Sequence, residues 1–220
     1  DKPKTMLYFG DKPILSRHVE AFRHQGIKDI GAVRGYRKEA IDLAGLHYFD
    51  NDDYADTGEL YSLYTARDFF KGDMVIAYGD IIFDDLILHN LLSHKGQIKI
   101  AVDAATRLRK RKDDKPDLVI SEGKDQPLGG GTCTLKNICT DCEEEVSGEW
   151  IGLRHVSADK TQMLAELLDR LAEEEPELLR KGDLPDLLNR LVQQGESVTV
   201  VHSYGHWRDL DEEMDLMGAR

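Results

Sequence analysis

Apolar positions recur along the chain with two alternating periods, one helical and one extended. In residues 13–25, Ile14, Val19 and Phe22 share a helical face, Pro13 suits the first turn, and Gly26 ends the run. Residues 29–34 read as a buried strand, 36–43 as a short helix and 46–49 as a brief strand. A polar, turn-rich stretch at 51–58 leads into a predicted helix at 59–70. Residues 74–78 form an apolar strand that ends in Gly79-Asp80. A helix at 83–94 and a strand at 98–102 follow. From 106 to 147 the pattern lapses, and charged runs with Gly129-Gly130-Gly131 predict a long loop or hairpin region, 118–120 being a candidate strand. Order returns with a strand at 149–156, amphipathic helices at 160–174 and 184–194, a strand at 197–202 and a closing helix at 212–219.

This alternation of strand and helix predicts an α/β fold, a mostly parallel sheet with helices on both faces. A chain of 220 residues with 40% hydrophobic and 32% charged positions has ample core for one domain. Residues 104–147 then stand out as a loop or inserted region.

A formal net charge of −13 argues against nucleic acid as a partner, and no basic stripe with interleaved aromatics offsets it. The cluster Arg107, Arg109, Lys110, Arg111 and Lys112 reads as a solvated loop, with a cationic arm over an anionic substrate as the sharper alternative. No apolar run is long enough to span a bilayer, and Asp1-Lys2-Pro3-Lys4 is no signal peptide, so no membrane is expected and a cytoplasmic setting is. Cys133, Cys139 and Cys142 are too few and too odd in number for a disulfide framework. The spacing of Cys139 and Cys142 matches half a zinc knuckle, but without a second pair free thiols in a loop are the expectation.

In an open α/β sheet, ligands sit at the carboxyl ends of strands. Asp80 follows one such strand, and Gly79 before it lets the backbone turn. Asp209 and Asp211 follow the last strand. If the two turns meet, their carboxylates suit a shared magnesium ion, which takes a few carboxylates plus phosphate oxygens and water. The plainer readings are a common Gly-Asp turn and Asp211 as a helix N-cap. Lys4, held after Pro3, is either solvated or a point charge for phosphate.

Several segments, in order, resemble the nucleotidyltransferase superfamily that activates sugar phosphates and phosphocholine. Lys2-Pro3-Lys4-Thr5-Met6-Leu7 followed by Asp11-Lys12-Pro13-Ile14-Leu15 is similar to the end of its opening signature. Gly26-Ile27-Lys28-Asp29-Ile30 through Gly35-Tyr36 resembles the next helix–strand–turn. Tyr78-Gly79-Asp80-Ile81-Ile82-Phe83 resembles the first metal element, and Gly205-His206-Trp207-Arg208-Asp209-Leu210-Asp211 the second. Asn51-Asp52-Asp53-Tyr54 and Tyr61-Ser62-Leu63-Tyr64-Thr65-Ala66-Arg67 resemble the phosphocholine cytidylyltransferase branch. Within it, the likeness is greatest to domains fused to, or encoded beside, phosphoenolpyruvate mutase in phosphonate synthesis.

The resemblance implies one Rossmann-like, three-layer α/β/α nucleotidyltransferase domain over residues 1–220. It implies CTP as donor, Mg2+ as cofactor, and 2-aminoethylphosphonate, 2-hydroxyethylphosphonate or phosphocholine as acceptor. Asp80, Asp209 and Asp211 would hold the metal, and Lys4 would neutralise phosphates. Thr57, Gly58, Ser62 and Gly79 would contact the nucleotide, and Glu149 and Trp150 the acceptor, with a core role for Trp150 the simpler expectation. Two departures matter. Gly58-Glu59 stands where the phosphocholine enzymes carry an Asn pair, which loosens the choice of base. The chain also opens at the tail of the Gly-rich phosphate loop, so the loop and first strand are expected from an upstream segment, without which it would not be competent. The alternatives are a sugar-1-phosphate nucleotidyltransferase using UTP, dTTP or GTP, and a non-catalytic nucleotide-binding domain.

Overall fold

Two short strands, β1 (Tyr8–Phe9) and β2 (Lys12–Pro13), form a small hairpin that leads into α1 (Ile14–His24). Pro13 has the extended backbone of an N-cap, and Ile14, Leu15, Val19 and Ala21 make the buried face of the helix. The computed structural model describes residues 2–105, 116–123 and 133–210. After α1 come β3 (Gly31–Arg34) and β4 (His47–Asp50), which pair in parallel. Helix α2 (Glu59–Thr65), β5 (Met74–Ala77), β6 (Ile81–Phe83) and α3 (Asp85–Ser93) follow. The chain continues through β7 (Ile98–Asp103), β8 (Leu118–Gly123), β9 (Cys133–Cys139) and β10 (Gly148–Val156). It then forms α4 (Ala158–Glu174), α5 (Pro176–Lys181), α6 (Leu184–Gln193), β11 (Val198–Ser203) and β12 (Trp207–Asp209).

The six-stranded sheet has the order β5-β10-β7-β11-β9-β8. Strands β7 and β10 are buried along their whole length, which requires cover on both faces. Ile98, Ile100 and Val102 of β7 face one layer with leucines of α2, α4, α5 and α6. Ala101 and Val201 face the other layer, with Ile87, Leu88 and Leu91 of α3 and Ala21 of α1. The result is the expected three-layer α/β/α architecture.

The expectation of a mostly parallel sheet needs correction. Strand β10 runs antiparallel to β5, β7 and β8, and β9 antiparallel to β8 and β11, so within this sheet only β7 and β11 are parallel neighbours. Periodicity reports which positions are buried, not which strand lies alongside. The expected 104–147 loop region also contains structure, since β8 and β9 form an antiparallel pair at the sheet edge. The 118–120 candidate strand and the hairpin alternative thus hold, whereas in β9 Cys133, Leu135 and Ile138 are separated by polar residues, which hides that strand. Gly129-Gly130-Gly131, the basic cluster at 107–112 and the predicted helix at 212–219 lie outside the described residues.

Other elements are shorter than their propensity suggests. The predicted helix at 36–43 is a single 3-10 turn, Lys38–Ala40, because Ile41 alone is buried there and no apolar face holds more turns. The helix at 59–70 stops at Thr65, and a 3-10 turn carries Phe69 against Phe49 and His47. The helix at 83–94 begins only at Asp85, since Phe83 is drawn into β6 opposite Trp207.

Asn189 of α6 fastens the sheet edge to the helix layer. Its side-chain amide donates to the Ile138 carbonyl at 2.8 Å, and its side-chain carbonyl accepts the Ile138 N–H at 2.8 Å. Asn189→Ala should therefore cost about 1–3 kcal/mol in urea unfolding, because it orphans two backbone groups at a buried strand position. A loss below about 0.5 kcal/mol would show that water replaces the amide freely.

Candidate functional site

The two acidic turns meet. β6 and β12 form an antiparallel ladder in which Asp209 stands opposite Ile81. The Leu210 N–H donates to the Asp80 carbonyl at 3.1 Å. Asp80 and Asp209 are thus brought to adjacent backbone positions from places 129 residues apart in sequence (209 − 80). Lys4 joins them, its Nζ 3.7 Å from Asp80 Oδ2. His18 of α1 donates from Nε2 to the Ile81 carbonyl at 2.7 Å, which pins this ribbon to the helix layer. Burial holds the His18 imidazole below its ordinary range, with the Ile81 carbonyl opposing that shift.

The reversal before β12 is left-handed at two successive residues, Gly205 (φ 76°) and His206 (φ 63°). It is clamped by Asp103 at the end of β7. Asp103 Oδ1 accepts the Gly205 N–H at 2.8 Å and the Ala105 N–H at 2.9 Å, while Oδ2 accepts the Trp207 indole N–H at 2.9 Å. Trp207 lies within the Gly205–Asp211 segment and is expected from sequence to pack beside that turn, whereas Asp103 lies in no segment that carries the resemblance. Asp211 lies outside the described residues.

Thr57 and Ser62, two of the residues expected to contact the nucleotide, are held by Asn51, which is buried. Its amide donates to Thr57 Oγ1 at 2.9 Å and Ser62 Oγ at 3.0 Å. Ser62 and Gly79 line a cavity of about 1180 Å³ together with Thr5, Glu59 and Tyr78, and the cavity extends between β3 and β5. Thr57 and Gly58 do not line it. Gly58 has a structural reason of its own, since a Cβ there would meet the Gly182 carbonyl oxygen at 2.5 Å. Gly79 does not: its φ is not positive, and a Cβ would only touch Thr5 at 3.7 Å. The sharp turn expected of Gly79 therefore needs no glycine. Glu59 Oε2 accepts the Tyr78 hydroxyl at 2.6 Å and the Leu184 N–H at 3.1 Å. Gly58-Glu59 thus locks α2 onto the α5–α6 junction.

Glu149, expected from the resemblance to contact the acceptor, is the second residue of β10 and stands opposite Asp103 of β7 and Leu118 of β8. It is 3% exposed. Asp117, absent from the sequence reading, lies next to it: its carbonyl accepts the Trp150 N–H at 2.9 Å. Burial, then the charges of Glu59, Glu149, Asp183 and Asp186, push the Asp117 carboxyl up to about 7. The expectation that Trp150 forms an acceptor wall is corrected. The residue is 2% exposed, packs against Tyr78 at 5.3 Å, and gives its indole N–H to the Leu153 carbonyl. A Trp on a fully covered central strand belongs to the core.

The cysteines also depart from expectation. Cys139 and Cys142 are joined in a disulfide, with Cα atoms 5.9 Å apart, rather than free, and Cys133 is buried in β9 rather than in a loop. His155 sits at the far end of β10 from Glu149, 3.9 Å from Asp73.

Among the described residues no group of three or more His, Cys, Asp or Glu side chains is arranged to hold a metal. Two carboxylates on adjacent backbones are nevertheless the hard-oxygen donors that suit magnesium when phosphate oxygens and water complete its shell.

With this geometry in place, comparison with known proteins is informative. Residues 1–198 match the MobA-like NTP transferase domain family. The CTP:phosphoglutamine cytidylyltransferase of Campylobacter jejuni is 24% identical over 238 residues, covering 98% of this chain and 90% of that protein. The CMP-5'-(3-aminopropyl)phosphonate synthase of Streptomyces rubellomurinus is 30% identical over 98 residues, covering 41% of this chain and 16% of that protein. The solved CTP:phosphocholine cytidylyltransferase of Streptococcus pneumoniae superimposes with a TM-score of 0.69 at 18% identity, covering 100% of this chain and 89% of that one.

The raised Asp117 carboxyl gives a pH signature. The proton it keeps in the folded chain adds stability that is complete below its ordinary value of 3.8 and gone once the pH passes about 7. Asp117→Asn removes this dependence. Its melting temperature should exceed that of the wild type by more at pH 8 than at pH 5, and an equal difference at both would contradict the assignment.

Proposed function

The chain belongs to the MobA-like NTP transferase domain family, and from that premise we propose that it is a magnesium-dependent cytidylyltransferase that transfers CMP from CTP to a small phosphonate or phosphate acceptor. The observation that carries the reading is the β6–β12 ladder, which sets Asp209 beside Asp80 with Lys4 within 3.7 Å of the Asp80 carboxylate. Family membership makes the chain a nucleotidyltransferase; the named cytidylyltransferases among its relatives support CTP.

In this reading an acceptor phosphonate or phosphate oxygen attacks the α-phosphorus of CTP in line. A new P–O bond forms as the bond to pyrophosphate breaks, and no covalent enzyme intermediate is needed. Catalysis is then positioning and charge neutralisation. Asp80 and Asp209 would hold the metal, which when bound offsets negative charge on the phosphates. Lys4 contributes a mobile cation to the same phosphates. Ser62 and Gly79 line the cavity available to the nucleotide, and Asn51 keeps Thr57 and Ser62 in register. Glu149 supplies the acidic side chain of the acceptor side, the complement of an ammonium-bearing acceptor such as 2-aminoethylphosphonate or phosphocholine. Association with a phosphoenolpyruvate mutase belongs to the same proposal.

The test is pyrophosphate release by the natively encoded protein across CTP, UTP, dTTP and GTP, against phosphonates, phosphocholine and hexose-1-phosphates. The reading expects CTP with a phosphonate or phosphocholine to lead. Turnover with hexose-1-phosphates and UTP instead would replace it with the sugar-nucleotide reading. Asp80→Ala and Asp209→Ala should each remove most turnover while leaving the fold intact; near-normal turnover of either at saturating magnesium rejects the metal assignment. Glu149→Gln should raise the KM for acceptor more than that for CTP, and the reverse pattern would exclude it from the acceptor side.

A further inference from the structure

We propose that Asp103 is a positioning residue that sets the metal-side turn, acting through Trp207 to fix where Asp209 stands relative to Asp80. The proposal rests on the reading of Asp80 and Asp209 as magnesium ligands.

Asp103 is 0% exposed, and its carboxylate accepts the hydrogen bonds that define the turn. Its Oδ1 takes two backbone N–H groups, of Ala105 and Gly205, and its Oδ2 takes the Trp207 indole N–H. A carboxylate held by several N–H donors is fixed in orientation. The topology explains why these donors converge. β11 runs parallel to β7 with Ser203 opposite Asp103, so the chain leaves the sheet beside the Asp103 backbone. It then reverses through Gly205 and His206, both left-handed. A non-glycine residue in that conformation costs about 1 kcal/mol or more and persists only where its surroundings over-determine it. Asp103 holds one end of the reversal, and the Asp84 N–H, donating to the His206 carbonyl at 3.0 Å, holds the other.

Trp207 returns to the same carboxylate and is buried. Trp207 and Asp209 are two residues apart in β12 and so share one face of the ribbon. Fixing the indole therefore fixes the rotation of the strand that presents Asp209. Asp103 is also the cross-strand partner of Glu149, so one buried group registers both the metal-side turn and the start of the acceptor-side strand.

The experiment reads metal affinity without turnover. Mn2+, used in place of Mg2+, is titrated by electron paramagnetic resonance in the presence of CTP. The proteins are the wild type, Asp103→Asn, Trp207→Phe, the double variant and Asp80→Ala, with folding checked by thermal melting. Asn has one acceptor oxygen where Asp has two, and Phe keeps a ring while removing the donor. Each single variant should weaken Mn2+ binding roughly tenfold or more, as loss of an outer partner of a metal site does. The double variant should be no weaker than Asp103→Asn, because both changes break one shared hydrogen bond. CTP binding in EDTA should be unchanged. If Asp80→Ala loses Mn2+ while folded Asp103→Asn and Trp207→Phe bind it as the wild type does, the positioning role is wrong and the metal reading stands. If the wild type binds no Mn2+, or Asp80→Ala binds it normally, both fall. Should Asp103→Asn fail to fold, Trp207→Phe decides alone by the same criterion.

Discussion

The buried Asp103 carboxylate is the constraint on which the site's geometry depends. It lies at the end of β7, a strand covered on both faces, and receives N–H groups from the segment after β7, from the reversal after β11 and from β12. A charge in that position is tolerated because hydrogen bonds surround it, and unpairing any of them would leave an expensive orphan. The consequence is geometric. The last turn of the described chain cannot drift from the sheet, and the ladder that follows sets it against the turn after β5. Secondary structure alone would not bring two acidic turns so far apart in sequence into contact.

A second lock acts at the start of α2. Gly58 lies against the Gly182 carbonyl, and Glu59 reaches both the Tyr78 hydroxyl and the Leu184 N–H. Burial raises the Glu59 carboxyl above its usual range, while the Tyr78 and Leu184 bonds oppose that shift. Tyr78 directly precedes Gly79-Asp80, so helix α2, the α5–α6 junction and the metal-side turn are joined through one hydroxyl–carboxylate contact. The Gly58-Glu59 pair, which from sequence is a departure from the phosphocholine branch, therefore has a packing role in this chain.

Much of the fold was legible because burial leaves a period in the sequence. Helices α1, α4 and α6 and strands β5, β7, β10 and β11 lie within a few residues of their expected places, each carrying a repeated apolar face. Strand order and direction were not legible, since the pattern of β10 is the same whether its neighbours run parallel or antiparallel. β9 escaped notice because its apolar residues are separated by polar ones, and β12 because three residues are too few to show a period. Of the candidate site, Lys4, Asp80 and Asp209 could be proposed from motif and strand-end position, and Trp207 as packing beside the second acidic turn. The contacts of Asp103, Asp117 and Asn51 could not, since they exist only after folding. Of the two roles open to Trp150 from sequence, the structure shows the simpler one, with its side chain in the core.

The central claim is that Asp80 and Asp209 grip one divalent ion and, through it, one nucleotide. A crystal structure of the natively encoded protein with Mg2+ and a non-hydrolysable CTP analogue tests it most directly. The account predicts one ion with a carboxylate oxygen of each residue at about 2.0–2.1 Å and a phosphate oxygen of the analogue in the same shell. An ion bound to the phosphates with neither carboxylate, or with Asp80 alone and Asp209 turned away, would contradict it.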